Sequence, residues 1–154
     1  MDVVSRLEAA RERTLPYFAL SEERLALCYA PGKWPVRWLL HHLADAETVL
    51  YDRIRRAISE PRPVVWAFDQ DRWATHLDYS GIPLETSQQI YSAVRGGVIY
   101  QARLNYATNG GREFVHSETG VRTLKDEFDK VAWHNEHHLG QIEQALQRSP
   151  GIRP

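Results

Sequence analysis

Apolar residues recur at three- and four-residue intervals along four segments of the chain, the spacing that places them on one face of an α-helix. Proline and glycine fall mostly between these segments, where they begin or end helices. The segments cover approximately residues 2–29, 35–59, 84–108 and 123–148. The pattern therefore predicts an all-α protein, a bundle of four helices.

Three interruptions of the pattern matter for the topology. Pro16 lies inside the first segment, so that helix is either kinked there or interrupted between residues 16 and 21, where Ser21 can cap a new turn. Residues 61–83 form a connection of about twenty residues that can cross the length of a bundle, so helices two and three need not be antiparallel neighbours. Residues 111–121 are expected to form an irregular connection or a short hairpin.

Length and charge restrict the class of protein. A chain of 154 residues can bury one core and is too short for two ordinary domains, so we expect a single domain over residues 1–154. The net charge is −1, from 19 basic and 20 acidic residues, and no block of lysine or arginine stands out. A nucleic-acid partner is therefore not expected.

The cysteine content and the N-terminal residues indicate the cellular location. Cys28 is the single cysteine, which excludes an intramolecular disulfide and fits a reducing compartment. The first residues are charged too early for a signal peptide, and no run approaches the ~20 apolar residues of a membrane span. We expect a cytoplasmic protein without a membrane partner, in which Cys28 packs inside a helix as a small apolar residue.

Histidine placement carries the strongest chemical signal. His134 and His138 are separated by four residues in the fourth segment, which puts their side chains on one helix face, close enough to share a metal ion. The other dense site is the pair His41 and His42, nearly a hundred residues earlier. A shared metal would therefore have to join two separate helices.

A helical wheel at about 100° per residue selects among these histidines. In the fourth segment His134 and His138 border the apolar stripe, whereas His137 points away from it. In the second segment His42 borders the stripe and His41 does not. The wheel thus predicts that His42, His134 and His138 face the core edge and that His41 and His137 do not.

Three neutral imidazoles with a fourth position left to water make an open, catalytic type of metal site. Zinc or nickel is the expected ion, and iron or manganese also accept such ligands. The alternative is that the histidines cap helix ends or make ordinary hydrogen bonds at a bundle edge. The metalloprotease motif requires Glu directly after the first His, but Asn135 stands there, which disfavours a protease.

The chain resembles the DinB/YfiT-like superfamily of small metal-binding four-helix bundles. The resemblance rests on GKWPVR at 32–37 with HHLADAE at 41–47, on WAFDQDRWA at 66–74, and on FVHSETG at 114–120 with AWHNEHH at 132–138. It implies a bundle with the long crossover between helices two and three, and metal ligands at His42, His134 and His138.

The resemblance also implies a function. The YfiT-like branch includes thiol transferases that attach a low-molecular-weight thiol to electrophiles, so we expect a metal-dependent thiol S-transferase acting on a small molecule. A metal-dependent hydrolase, or a non-catalytic metal-binding module that dimerises, is the alternative, and a homodimer is expected in any case. Glu47 and Gln141 depart from that branch, which carries histidines there.

Several residues near the expected site have open roles. Asp45 lies one turn after His42 and is either a carboxylate that orients the imidazole or a solvated charge. Glu47 falls within the apolar stripe, as a buried, partnered carboxylate near the site or as a snorkelling residue. Trp66 or Trp73 is expected to line the pocket.

The fourth coordination position distinguishes an enzyme from a structural site. His116, His41 or a carboxylate could supply a fourth ligand, and His116 is the foremost candidate because it precedes the fourth helix in a loop. A closed site would favour a structural role, and an open one an enzyme.

Overall fold

Four long helices form the body of the computed structural model, which describes residues 2–148. They are α1 (Val3–Thr14), α3 (Val36–Ser59), α5 (Leu84–Asn105) and α6 (Leu124–Gln147). Two short helices, α2 (Glu22–Leu25) and α4 (Gln70–His76), lie in the connections. The prediction of an all-α four-helix bundle is confirmed, and α5 ends three residues before the predicted boundary.

The first predicted segment is interrupted, not kinked. α1 ends at Thr14, and a 3-10 helix, Leu15–Ala19, follows with Pro16 in its first turn. Proline fits the start of such a turn because it lacks the backbone N–H that a continuing helix requires. Ser21 then precedes α2 as its N-cap residue, although its side chain makes no capping hydrogen bond.

Helix α6 has a well-defined start. The Thr123 hydroxyl accepts from the backbone N–H of Asp126, and the Asp126 carboxylate accepts from the backbone N–H of Thr123. This reciprocal capping box satisfies backbone donors that the first helical turn leaves without partners. It fixes the beginning of the helix that carries two of the three selected histidines.

Side-chain pairs give the directions of the helices. Towards one end of the bundle His41 contacts Ser87, and further along Glu47 pairs with Arg95, so α3 and α5 run parallel. The crossover between them must therefore return along the whole bundle. This confirms that helices two and three of the long set are not antiparallel, although they are packed neighbours.

Helix α6 runs antiparallel to α3. His42 of α3 meets His134, whereas Arg53, three turns later in α3, meets Glu127 at an earlier position in α6. The metal-site candidates on the two helices are thus brought together by opposite chain directions.

A small sheet covers one side of the bundle. Its strands are β1 (Val64–Val65), β2 (Glu113–His116) and β3 (Gly120–Thr123), in the order β1-β2-β3. β2 and β3 form an antiparallel hairpin, which decides between the two predicted forms of residues 111–121. β1 pairs with β2 in parallel and was not predicted, because two residues are too few to show an alternating pattern.

The core consists of two apolar clusters with a polar layer between them. Glu47 lies in α3 between Ala44 of one cluster and Leu50 of the other, and Arg95 lies in α5 between Tyr91 and Val98 in the same way. The layer is completed by Asn135, whose side chain donates to the Thr14 hydroxyl. All four long helices thus contribute to one buried network.

Glu47 and Arg95 form the centre of this layer. The Arg95 Nε atom donates to Glu47 Oε2 at 3.0 Å, its Nη2 atom donates to Asn135 Oδ1 at 2.7 Å, and both charged residues are buried. Of the two roles considered for Glu47, the structure shows the buried, partnered carboxylate.

Within residues 2–148, no helix is both long and apolar enough to cross a membrane.

Candidate metal centre

Three histidine side chains meet where α3 crosses α6. His134 Nε2 lies 3.1 Å from His42 Nε2 and 3.2 Å from His138 Nε2. Among residues 2–148 these three form the group of possible ligands whose donor atoms all lie within 4.8 Å of one another. The structure therefore brings together the three histidines that the helical wheel selected.

Hydrogen bonding cannot account for both short nitrogen–nitrogen contacts in the cluster. His134 Nε2 carries either one proton or one lone pair, so it can make only one of the two short contacts as a hydrogen bond. A cation, in contrast, accepts a lone pair from each ring. Two nitrogens bound at 2.0–2.1 Å to a tetrahedral zinc ion lie about 3.3 Å apart, which is close to the observed spacing.

Burial keeps the three rings neutral. It lowers the pKa of His42 to about 3, with a smaller effect from His138, and lowers the pKa of His138 to about 4 despite a hydrogen bond that acts in the other direction. The pKa of His134 is held well below its ordinary value by burial and then by the two neighbouring histidines. Neutral imidazoles with available lone pairs are the form that binds divalent metals.

The Nδ1 atoms of the three histidines, which lie outside the short contacts, differ in their hydrogen-bond partners. His138 Nδ1 donates to Gln141 Oε1 at 2.7 Å, which leaves the Nε2 atom of the neutral ring as the acceptor that faces the cluster. The Nδ1 atoms of His42 and His134 are buried and have no hydrogen-bond partner within the described chain. His42 is instead held by ring contacts, with Trp34 at 5.4 Å and Phe68 at 6.2 Å between centroids.

A pocket of about 480 Å³ opens onto the cluster. Its volume falls within the range typical of small-molecule sites. His134 and His138 form part of its wall, and the other lining side chains are aromatic, apolar or polar: Tyr29, Lys33, Trp34, Leu39, Gln70, Asp71, Trp133, His137 and Gln141. The donor set fits a metal ion that three imidazoles hold at the side of an open pocket.

The two remaining histidines of the paired motifs behave differently. His137 is exposed, as predicted, and stacks on Trp133 at 5.3 Å between ring centroids. The prediction that His41 faces away from the core is wrong, because His41 is buried and its Nδ1 atom lies 2.7 Å from Ser87 Oγ. Helix α3 is covered on a second side by α5 and by Tyr79, which a single apolar stripe cannot reveal.

Neither acidic candidate contacts the cluster. Asp45 accepts a hydrogen bond from the Tyr79 hydroxyl at 2.6 Å, and it does not orient His42, whose Nδ1 atom has no partner. Burial raises the pKa of the Asp45 carboxyl. Glu47 is directed into the polar layer, where Arg95 neutralises it.

The other candidates lie outside the cluster. His116 is part of β2, where its Nδ1 atom accepts from the backbone N–H of Glu118 at 3.2 Å, and it is not among the clustered donors, so it is not a fourth ligand. Cys28 is exposed and lies in an isolated bridge with Pro35, which corrects the prediction of a buried helical residue. The side chain is in the turn before α3, where the segment no longer has a helical face to bury it.

The tryptophans that line the pocket are not the predicted ones. Trp66 is 74% exposed and lines a different cavity, and Trp73 packs on Phe68, which in turn contacts His42. Trp34 and Trp133 line the pocket instead. Their proximity to the motif histidines in the sequence was the available signal, since Trp133 directly precedes His134.

Comparison with known proteins agrees with this arrangement. The family model described as DinB superfamily matches residues 6–142. The chain belongs to the DinB superfamily. This DinB protein is similar to "Putative metal-dependent hydrolase OB0413" of Oceanobacillus iheyensis. The two are 33% identical over 133 residues, which cover 86% of this chain and 76% of the relative. A second relative from that organism, named likewise and numbered OB0782, is 34% identical over 129 residues, covering 84% and 74%.

The DinB fold also agrees with a solved structure. That structure is of YfiT from Bacillus subtilis, described as a probable metal-dependent hydrolase with an unusual four-helix bundle topology. The TM-score is 0.86 at 24% identity, over 95% of this chain and 85% of YfiT. The match shows that the two proteins share the fold.

Proposed function

We propose that this protein is a metal-dependent enzyme in which His42, His134 and His138 bind one divalent ion, zinc or nickel, with iron or manganese as further options. The observation that carries the proposal is the convergence of three neutral Nε2 atoms, at 3.1 and 3.2 Å, beside an open pocket. The names of the two relatives describe metal-dependent hydrolases, which supports the proposal. No fourth His, Cys, Asp or Glu of residues 2–148 joins the group, which favours a catalytic site over a closed structural one.

The reaction we propose is the transfer of a low-molecular-weight thiol to an electrophilic small molecule. A divalent ion held by three neutral ligands keeps its full charge and would lower the pKa of a thiol or water ligand by several units. The sulfur would form a bond to the electrophilic carbon, and the leaving group would depart with the electrons of the broken bond. The thiol proton passes to solvent or to the Asp71 carboxylate, which lines the pocket.

The pocket walls fit such a reaction. Trp34, Trp133 and Leu39 offer apolar surface to an organic electrophile, whereas Gln70 and Gln141 offer hydrogen bonds. Burial of His42 and His138 excludes water from the inner side of the cluster. A thiolate needs no general base during attack, which suits a site in which Asp71 is the single lining carboxylate.

Hydrolysis is the second candidate, favoured by the names of the relatives and by two groups able to accept a proton from water. Asp71 and His137 both line the pocket. In that case water replaces the thiol as the nucleophile, and the rest of the arrangement is unchanged. A cytoplasmic homodimer is proposed as the assembly in either case.

The test compares the two nucleophiles in one protein. Zinc-loaded protein is assayed with cysteine, glutathione and coenzyme A against a bimane electrophile, and separately with a nitrophenyl ester in the absence of thiol. Thiol transfer that is lost in His138→Ala and retained in His76→Ala, an exposed histidine of α4, supports the proposal. Ester cleavage alone points to the hydrolase, and a protein that binds metal but turns over neither substrate is the non-catalytic module.

A further inference from the structure

A second cavity lies next to the pocket of the metal centre, on the other side of one tryptophan. Its volume is about 400 Å³, and its walls come from the β2-β3 hairpin and the first turns of α6. Trp133 lines both this cavity and the metal pocket. Its ring stacks on His137. The side chains around the second cavity are His116, Thr119, Arg122, Asp126, Glu127, Asp129, Lys130 and Trp133.

The carboxylates of this cavity already have partners. Glu127 pairs with Arg53 at 3.5 Å, and both side chains are almost fully buried. Asp126 accepts the capping hydrogen bond from the Thr123 backbone at 2.9 Å. Asp129, the third carboxylate, accepts from the Tyr106 hydroxyl at 2.9 Å and pairs with Lys125 at 3.4 Å. A cation therefore finds no carboxylate here that lacks a partner.

The two cationic side chains of the cavity have few ion-pair partners. Lys130 is half-buried and forms no salt bridge with a carboxylate of residues 2–148. Arg122 has one distant ion pair, with Asp126 at 3.9 Å. Burial lowers the pKa of Lys130, although the Glu127 carboxylate, which pairs with Arg53, acts in the opposite direction. A partly desolvated ammonium without an ion-pair partner is a favourable site for an anion.

Neutral donors add to this charge. The His116 Nδ1 atom accepts from the backbone N–H groups of Glu118 and Thr119, which places the ring proton of the neutral form on Nε2 as a donor. The Thr119 hydroxyl is a further donor on the cavity wall. Ammonium, guanidinium, imidazole and hydroxyl donors thus line the cavity beside the three partnered carboxylates.

Along α6 the cavity lies about one helical turn from the metal centre. Lys130 precedes His134 by four residues in α6, which corresponds to about 6 Å along the helix axis. We propose that the cavity is an anion subsite, in which Lys130, Arg122, His116 and Thr119 bind a carboxylate or phosphate group of the substrate while its reactive end lies at the metal centre. The inference rests on the proposed function and names its substrate class: an organic anion whose charged group lies about one helical turn from the reacting atom.

Anion binding at this cavity can be measured without turnover. The full-length ¹⁵N-labelled protein, with and without bound zinc, is titrated with inorganic phosphate and separately with succinate at constant ionic strength. The backbone amide of Thr119 and the indole of Trp133 report binding. Because the subsite does not use the three histidines, both forms of the protein are expected to bind, so failure of the metal proposal is distinguishable from failure of this one.

Three variants give the comparison its controls. Lys130→Gln is expected to weaken anion binding by about tenfold or more, since a hydrogen bond to a charged group is lost. Lys130→Arg keeps the charge and is expected to remain within a few-fold of the wild type. Arg148→Gln removes the same charge at an exposed residue that caps the C-terminal end of α6, eighteen residues after Lys130, and it is expected to leave binding unchanged.

Several outcomes would overturn the inference. Equal binding by wild type and Lys130→Gln would exclude the subsite, as would equal losses in Lys130→Gln and Arg148→Gln, which indicate nonspecific charge attraction. Binding that requires zinc and ignores Lys130 would place the anion on the metal. A stronger response to phosphate than to succinate, with the Lys130 dependence intact, would identify the substrate group as a phosphate, and the reverse as a carboxylate.

Discussion

The Nε2 atoms of His42 and His134 lie 3.1 Å apart although the residues are separated by 92 positions in the sequence. They belong to the antiparallel helices α3 and α6, and His138 adds a third nitrogen 3.2 Å from His134. A hydrogen bond can satisfy only one of these two contacts, and a shared cation satisfies both.

Loss of any ligand histidine should remove metal from the protein. We expect His42→Ala, His134→Ala and His138→Ala each to lower zinc affinity by more than the roughly 10–100-fold that loss of a supporting residue costs. Metal content after gel filtration, with a competition titration for the affinity, provides the measurement. His76→Ala, at an exposed histidine of α4, should retain full metal content. Equal metal in all four proteins would rule out the site.

Gln141 positions one of the ligands. Its Oε1 atom accepts from His138 Nδ1 at 2.7 Å and thereby fixes the tautomer that presents Nε2 to the metal. We expect Gln141→Ala to reduce zinc affinity by about tenfold, and Gln141→Glu to restore or exceed it, because the carboxylate is a stronger acceptor. Gln144→Ala, at an exposed position one turn further, is the matched control. An unchanged affinity in Gln141→Ala would show that His138 needs no such partner.

Metal binding should be insensitive to pH over an unusual range. The pKa of His42 is lowered to about 3 and that of His138 to about 4 by burial, so neither ring in the metal-free folded protein holds a proton at pH 5.5. Zinc binding should then release close to no protons from the histidines at that pH, whereas ordinary histidines with a pKa near 6.5 would release almost one each. Calorimetry in buffers of different ionisation enthalpy counts the protons. Release of two to three protons at pH 5.5 would contradict the neutral cluster.

The same shifts have a consequence for stability. A histidine with a folded-state pKa of about 3 to 4 and an unfolded pKa of about 6.5 binds fewer protons when folded throughout that interval. Its contribution to the free energy of unfolding is fully present above pH 6.5 and is lost as the pH falls, by up to about 1.4 kcal/mol per pH unit for each ring. Urea unfolding of metal-free protein at pH 7 and pH 5 measures the loss. It should be smaller in His138→Ala than in the wild type.

Breaking the buried ion pair should destabilise the bundle strongly. Glu47 and Arg95 are almost completely buried, so Glu47→Gln leaves an arginine without its counter-charge, at a cost of about 3–5 kcal/mol. Glu60→Gln removes a carboxylate from an exposed pair with Arg56 just after α3 and should cost at most about 1 kcal/mol. Denaturant unfolding compares the two variants. Similar values would show that Arg95 finds sufficient compensation in Asn135 and the Leu7 carbonyl.

The sequence by itself determined the four helices and the choice of His42, His134 and His138, because each depends on a helical period that one segment contains completely. It determined the crossover through the length of the connection between two such segments. It also placed Glu47 on a buried face, but it could not name Arg95 as the partner, which lies 48 residues away. Local pattern carries no information on which helix will cover a given face.

Tertiary structure alone decided the remaining features. His41 is buried because α5 and Tyr79 cover a second side of α3, and Cys28 is exposed because the chain turns before that helix. β1 exists because β2 offers a parallel edge to two residues that have no strand signal of their own. The cavity beside Trp133 likewise arises only when the hairpin folds onto α6. In each case the deciding contact joins residues far apart in the sequence, so the physical cause is packing between elements and not the preference of any one of them.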